Sequence, residues 1–223
     1  MVCAPRAQIR GAALIRQPGR LAIARRSAVK IVLATFNRDK VRELKQLLTA
    51  HPVEIIGLHE VPGAKVPPER GRTVQENALE KARAAYDLTG LTSIADDTAL
   101  EVDALGGKPG IYAARLAGPG ATYTANRNRL LEVLTGVAPE LRTARFRTAC
   151  VACMTSGREC VAEGVLEGRI TEAPQGEGGF GYDPIFELPE LGKTLAEISS
   201  EQKNRISHRA LAMRALIAQL DLH

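Results

Sequence analysis

Two long runs of strand-forming residues stand back to back late in the chain, 143–155 (TARFRTACVACMT) and 159–170 (ECVAEGVLEGRI), parted only by Ser156-Gly157-Arg158. A glycine-containing turn of that length between β-rich segments predicts a hairpin, hence two antiparallel neighbours. The first half of the chain is written differently. It alternates short apolar runs with helical patterns, the signature of parallel strands joined by crossover helices. A mixed sheet, or two lobes with a cleft between them, accommodates both halves, whereas a purely parallel doubly wound sheet does not. Clefts between lobes are favoured ligand sites.

Within the alternating half, residues 30–35 (KIVLAT) form a β-branched run suited to a buried strand, followed by the polar loop Phe36-Asn37-Arg38-Asp39. Val41, Leu44, Leu47 and Leu48 then recur at helical spacing until His51-Pro52 ends the pattern. A helix N-terminus offers unpaired backbone N–H groups that suit phosphate, and Thr35, Asn37 and Lys40 add donors there. The glycines of a Walker or dinucleotide loop are absent. Residues 53–58 (VEIIGL) read as a second strand, and 59–72 as a Pro/Gly-punctuated loop carrying Glu69. Thr73-Val74-Gln75-Glu76 fits a capping box, ahead of Ala78, Leu79, Ala82, Ala85 and Tyr86 on one face, and Gly90 is the stop. Lys81 falls partly off that face, which leaves a solvated lysine and a phosphate ligand both open.

Residues 92–95 read as a strand that stops on Asp96-Asp97-Thr98, with alternation resuming at 100–102. Adjacent carboxylates repel, so a clefted pair needs a cation, a shared proton or good hydrogen bonds. A divalent metal beside a phosphate would serve; a solvated acidic turn is the other reading. Residues 106–115 (GGKPGIYAAR) make a glycine-rich turn, either a structural loop or a cleft rim, with the structural role the expectation. Residues 122–135 form an amphipathic helix with Leu130, Leu131 and Leu134 inward. In 176–184 (GEGGFGYDP), glycines surround two aromatics and an acid, so a nucleobase could stack on Phe180 or Tyr182, or the segment could be a turn. From about Ser200 one helix turns Ile206, Ala210, Met213, Ile217 and Leu220 inward and carries Lys203, Arg205, His208 and Arg209 on its early turns. Continuous helical rotation places Lys203 about 140° from His208, so the two converge on one ligand only if Lys203 reaches around or the helix begins later.

The formal charge of +5 would suggest a nucleic-acid or membrane-surface partner. Residues 1–29, however, hold six Arg and no acid, and removing them leaves 24 Lys+Arg against 25 Asp+Glu. The basic character therefore belongs to the first 28 or so residues, read here as a disordered extension or an organellar targeting segment. Its removal should leave activity unchanged. No run reaches the roughly eighteen apolar residues of a membrane span, and the chain is expected to be soluble. Cys3, Cys150, Cys153 and Cys160 form no regular framework and fit a reducing compartment. Cys150-x-x-Cys153 lies in a strand, where positions three apart face opposite sides, which disfavours a metal site.

The segments KIVLATFNRDKVREL, ERGRTVQENALEKA, IADDTALEVDALGGKPGIYAAR, GGFGYDPIF and EQKNRISHRALA occur in this order across residues 30–220. In them the chain resembles the non-canonical purine NTP pyrophosphatases, also called XTP/dITP diphosphatases or ITPase-like proteins. The resemblance implies a domain over 29–223, an elongated two-lobed α/β protein with a long curved mixed sheet flanked by helices, an active-site cleft between lobes, a homodimer and a cytoplasmic location. It implies Mg2+-dependent cleavage of ITP, dITP or XTP to the monophosphate and pyrophosphate, which cleanses the nucleotide pool.

The resemblance also assigns roles. Asp97 is the general base and a metal-linked carboxylate, Glu69 its partner on Mg2+, and Asp96 a supporting group. Lys40, Lys81 and Lys203 become the polyphosphate cations, and Thr35, Asn37 and Thr98 donors, with Phe36, Arg38 and Asp39 in the same substrate loop. Phe180 stacks on the base, Asp183 and the backbone at Gly181 and Tyr182 read its edge, and His208 with Arg209 meets the six-position oxygen. That oxygen is an acceptor in hypoxanthine and xanthine, where adenine carries an amino donor, so an arginine there selects against adenine. Guanine shares the oxygen and needs another means of rejection. Phe36 stands where the family often has Gly and Ala99 where Gly is usual, and a positive φ at either would cost on the order of 1 kcal/mol. Two other readings compete: a diphosphatase for modified pyrimidine or other nucleotides, and a non-enzymatic nucleotide or nucleic-acid binding module using the basic tail and the cations of 203–209. The near-neutral body speaks against nucleic acid, and no membrane partner is expected.

Overall fold

The computed structural model describes residues 29–65 and 69–220, so the basic stretch 1–28 lies outside the described residues. Strand β1 (Val29–Leu33) leads into helix α1 (Arg38–Leu48), and β2 (Val53–Gly57) and α2 (Val74–Thr89) follow before β3 (Thr92–Val102). β1 lies between β2 and β3 and is parallel to both. From β3 onward every pairing is antiparallel. The remaining strands are β4 (Lys108–Gly110), β5 (Thr143–Cys153), β6 (Glu159–Ile170), β7 (Phe186–Leu188) and β8 (Lys193–Thr194). Together they form one eight-stranded mixed sheet ordered β2-β1-β3-β5-β6-β7-β8, with β4 also beside β3. The hairpin expected at 156–158 joins β5 to β6, and Gly157 takes the left-handed conformation (φ 81°) that the turn requires. Helices α3 (Tyr123–Val133), α4 (Ser200–Ile206) and α5 (His208–Ile217) complete the fold.

Strand alternation sorts the core into layers. Ile31, Leu33, Ile94, Cys150 and Ala152 pack on Val41, Leu44 and Leu48 of α1 and on Ala212, Met213 and Leu216 of α5. The opposite face sets Val32, Ala34, Ala95, Ala99, Ala149, Val151 and Cys153 against Val74, Ala78, Ala82 and Ala85 of α2. A third centre gathers Leu100, Val102, Leu130, Leu134, Ala144, Phe146, Ile170 and Phe186. β3 and β5 each contribute to all three centres, so the three share one continuous sheet. Cys150 and Cys153 do fall on opposite faces, as strand geometry dictates. Among the described residues, no helix is long and apolar enough to cross a membrane.

Alanine predominates at the α2 interface, with Ala78, Ala82 and Ala85 in one centre with Ala95, Ala99 and Ala149 of the sheet. Small residues let the helix lie close to the sheet, which brings its polar side chains within reach of β3. Ala99 is part of that contact, at 3% exposure. No described residue other than glycine has a positive φ, so the strain anticipated for Phe36 and Ala99 is absent.

Three sequence expectations change. β3 does not end at residue 95: it runs unbroken for 11 residues, because β5 pairs it from Ser93↔Cys153 to Val102↔Ala144 and holds the acidic pair extended. The capping box closes differently, with Thr73 Oγ1 accepting from the Glu76 N–H (3.1 Å) but the Glu76 carboxylate reaching the Arg72 N–H (2.6 Å) instead of that of Thr73. The C-terminal helix is two helices. Ser207, with φ −66° and ψ 151°, is the C-cap of α4 and the N-cap of α5, and its hydroxyl accepts from the Ala210 N–H at 3.2 Å.

Candidate active site

The site begins at a gap in the sheet. β1 leaves β3 after Ile94, whose carbonyl accepts from the Ala34 N–H at 2.8 Å, and β4 joins only at Leu100. Residues 95–99 are therefore laddered to β5 on one edge and have no strand on the other. Because side chains alternate, Asp96 and Thr98 face α1 and α5 while Asp97 faces α2. The open edge lets groups from both faces line one cleft of about 150 Å3, formed by Asn37, Lys40, Glu69, Asp97, Thr98, Tyr123, Phe180, Asp183, Lys203, His208 and Arg209, among others. A larger groove of about 820 Å3 lies beside α2 and β4. It holds none of these groups, so the chemistry points to the smaller cleft.

The two adjacent aspartates have different surroundings. Asp96 is fully buried and takes Lys40 Nζ at 2.9 Å and Arg209 Nε at 3.1 Å on one oxygen, while its other oxygen has no partner. Burial alone would push its carboxyl up, but Lys40, Arg209 and Lys81 together hold it well below the usual range. Asp97 accepts from Lys81 Nζ at 2.6 Å and from Asn77 Nδ2 at 3.2 Å. Lys81 also reaches Glu69 at 3.3 Å, and Arg115 meets the other Glu69 oxygen at 2.7 Å. The lysine left open by the sequence is thus buried, charged and bridging two carboxylates. Burial opposes its charge, and Asp97 and Asp96 more than offset that.

On the α5 side, the break at Ser207 settles how Lys203 and His208 converge: they belong to different helices and face the same cleft. Lys203 Nζ lies 2.6 Å from Glu43 and 2.5 Å from Asp183, and Arg209 pairs with Glu43 at 2.7 Å. Both cations approach Phe180, Lys203 Nζ at 4.8 Å and the Arg209 guanidinium carbon at 5.4 Å from the ring centroid. Tyr123 stands 5.8 Å from the same ring. Asp183 Oδ2 also accepts from the Phe180 N–H at 2.8 Å. Gly179 makes this possible: a Cβ there would sit 2.0 Å from that oxygen, and its φ is 69°. Burial pushes the Asp183 carboxyl up, with Lys203 opposing. His208 is buried, its Nδ1 2.6 Å from Thr148 Oγ1 and its ring stacked on Phe146 at 4.5 Å. Burial, with Arg209 and Lys203 beside it, holds His208 well below its ordinary pKa, so the ring is neutral.

Several anticipated residues lie elsewhere or act differently. Phe36 packs on the alanine-rich centre under α2. Arg38 is exposed in a groove with Val41, Arg42 and Lys45. Thr35 Oγ1 accepts from the Asn37 N–H at 3.2 Å, and Asp39 pairs with Arg42 at 2.6 Å. Asn37 caps α1, with Oδ1 accepting from the N–H groups of Asp39 (3.0 Å) and Lys40 (3.3 Å), so two amides expected to be free for phosphate are already bonded. The Tyr182 side chain is core, not a platform, and its hydroxyl donates to the Ala113 carbonyl at 2.7 Å. Gly181 lines the cleft, and Arg127 donates to its carbonyl at 2.9 Å. The turn at 106–115 is a rim as well as a structural loop, since β4 is followed by Ile111, Ala113 and Ala114 in the cleft wall.

Glu43, Asn77, Arg115, Tyr123 and Thr148 were not singled out in the sequence. For two of them a signal existed: Glu43 is three residues beyond Lys40 and Asn77 four before Lys81, spacings that share a helix face. The partners of Glu43, Lys203 and Arg209, lie at the far end of the chain, and nothing local announces them.

The sequence pattern of the Ham1 family matches residues 31–219. The dITP/XTP pyrophosphatase of Desulforamulus reducens is 47% identical over 186 residues, spanning 83% of this chain and 92% of the relative. That of Thioalkalivibrio sulfidiphilus is 50% identical over 196 residues, spanning 86% and 98%. Among solved structures, the Staphylococcus aureus Ham1 protein superposes with a TM-score of 0.76 at 40% identity, covering 86% of this chain and 98% of its own. The nucleoside-triphosphatase, or dITP/XTP pyrophosphatase, of Mycobacterium abscessus gives 0.68 at 41%, covering 86% and 100%. Likeness of this extent in sequence and in fold places the chain in the Ham1 family.

Proposed function

We propose that this chain is a nucleoside triphosphate pyrophosphatase that hydrolyses ITP, dITP and XTP to the monophosphate and pyrophosphate with the help of Mg2+. The observation that carries the reading is the gap in the sheet. It places an acidic pair bridged by a lysine, Glu69 and Asp97 with Lys81, in one cleft with Phe180, His208 and Arg209. The first set suits a metal-linked polyphosphate and the second a purine. The names of the relatives support the same activity.

The charge balance supports a metal ion. Lys40, Lys81, Arg115, Lys203 and Arg209 stand against Glu43, Glu69, Asp96, Asp97 and Asp183, five cations to five carboxylates. A triphosphate therefore meets no surplus of positive charge, and a divalent cation would bring it. Glu69 and Asp97 supply hard oxygen donors, and the Lys81 ammonium lies between them, 3.3 Å from Glu69 and 2.6 Å from Asp97. Among the described residues no group of three or more His, Cys, Asp or Glu could hold a metal. Two carboxylates, Glu69 and Asp97, would suffice to hold Mg2+. When bound, Mg2+ would supply a Lewis acid that eases loss of a proton from a nearby water.

Asp97 then receives the proton of the attacking water as its oxygen bonds to phosphorus and pyrophosphate departs. Asn77 and Lys81 fix the orientation of its carboxylate. Lys40 and Lys203 neutralise phosphate oxygens as they exchange partners with Asp96 and with Glu43 and Asp183. Lys40, Glu69 and Asp97 line the same cleft as Phe180, His208 and Arg209, so the two ends of one nucleotide would meet these two sets of groups.

A panel of ITP, XTP, dITP, dATP, dGTP, dCTP and dUTP with pyrophosphate detection tests the reading. The three deaminated purines should turn over fastest, and faster hydrolysis of the pyrimidines would reject it in favour of the pyrimidine alternative. Phe180→Ala should raise KM for ITP about tenfold with little change in kcat, as loss of one stacking contact predicts. A role in cleansing the nucleotide pool and a homodimer belong to the same proposal. Light scattering should give twice the 24.0 kDa chain mass.

A further inference from the structure

Across β3, β5 and β6, the residues Thr98, Thr148 and Gly164 form one row, each paired in register with the next. The start of α5 rests on this row. A Cβ on Gly164 would come 2.2 Å from the His208 carbonyl oxygen, so glycine there is what lets His208 dock against the sheet. The docked ring meets a chain of polar atoms. Arg209 donates to Thr98 Oγ1 at 3.4 Å, Thr98 Oγ1 lies 2.7 Å from Thr148 Oγ1, and Thr148 Oγ1 lies 2.6 Å from His208 Nδ1. Nothing in the proposed hydrolysis uses Thr148.

We propose that Thr148, oriented by Thr98, fixes the tautomer of His208 so that Nδ1 accepts and Nε2 carries the hydrogen toward the base. The inference rests on the reading of this cleft as a purine site. The relay runs one way. A guanidinium can only donate, so the hydroxyl of Thr98 is met by a donor at one end and is free to donate onward to Thr148. Thr148 in turn donates to Nδ1, and a neutral imidazole that accepts at Nδ1 must carry its hydrogen at Nε2. Run in reverse, the relay would bring two donors onto Thr98 Oγ1, and its own hydrogen would have to turn into the cleft instead of bonding within the protein.

The direction matters for selectivity. With hydrogen at Nε2, His208 and Arg209 both present donors, which match the six-position oxygen of hypoxanthine or xanthine. The opposite tautomer would present an acceptor and match the amino group of adenine. Thr148 is thus a positioning residue that sets which purine edge the neutral imidazole prefers.

Long-range 1H–15N correlation on the ligand-free, histidine-labelled full chain reads the tautomer directly, with the His208 signal assigned by its loss in His208→Gln. An unprotonated Nδ1 and a protonated Nε2 are expected; a protonated Nδ1 would overturn the proposal. In a second arm, Thr148→Val should lower the ratio of kcat/KM for dITP over dATP about tenfold, and Thr148→Ser should restore it. An unchanged ratio in folded Thr148→Val would also overturn it. If Thr148→Val does not fold, the spectrum of the unaltered protein still decides. If the unaltered protein hydrolyses dATP as fast as dITP, the substrate reading fails, whereas the tautomer is still read from the spectrum.

Discussion

Asp97→Asn is expected to lower kcat for ITP by about a thousandfold, the range for loss of a positioned general base. Asparagine keeps the shape of the side chain and its contact with Asn77, but it cannot take a proton from water and no longer balances Lys81. Lys81 retains Glu69 at 3.3 Å, so the variant should fold. Nucleotide binding should persist, measured by calorimetry with a non-hydrolysable ITP analogue. Unchanged turnover would remove Asp97 from the chemistry and return the acidic pair to a purely structural role.

The neighbouring carboxylate should behave in the opposite way. Asp96→Ala removes the buried partner of both Lys40 and Arg209 and is expected to destabilise the fold by about 3–5 kcal/mol, read from urea unfolding. The deficit should depend on pH with a definite sign. The folded carboxyl of Asp96 lies well below its ordinary value, because Lys40, Arg209 and Lys81 outweigh burial. Between the ordinary carboxylate pKa near ~3.9 and that lowered value, the unfolded chain takes up a proton that the folded chain does not. Stability contributed by Asp96 is therefore fully present above about pH 4 and is lost as pH falls. The gap between unaltered protein and Asp96→Ala should accordingly narrow in acid. A gap that stays constant down to pH 3 would show that the ion pairs do not set the stability of this region.

These contrasting expectations show what the sequence made legible. The mixed sheet was readable because two periodicities are written plainly: the strand–helix alternation from 30 to 102 and the turn at 156–158 between two strand runs. The adjacent carboxylates Asp96 and Asp97 were readable as a candidate site too, but not the different surroundings that separate them. Those follow from β3 running straight through the pair, which depends on pairing with β5 some 50 residues later. A strand edge left open between β1 and β4 is a property of the assembled sheet, with no local sequence signature.

The C-terminal helix shows the same limit. Ile206, Ala210, Met213 and Ile217 keep helical spacing across Ser207, so periodicity alone predicts one helix. Serine is an ordinary N-cap, yet recognising it inside an apolar pattern requires knowing that Gly164 offers a bare surface for the turn to rest on. The paired cations and acids from 40 to 209 were partly visible as residue types, whereas Glu43 became a site residue only when α1 and α5 met.

Product analysis tests the central claim most directly. Purified full-length chain incubated with ITP and Mg2+ and followed by 31P NMR should yield IMP and pyrophosphate in equal amounts, with no turnover when Mg2+ is chelated and none above background for Asp97→Asn. Appearance of IDP and orthophosphate, or equal turnover with the metal chelated, would contradict the account.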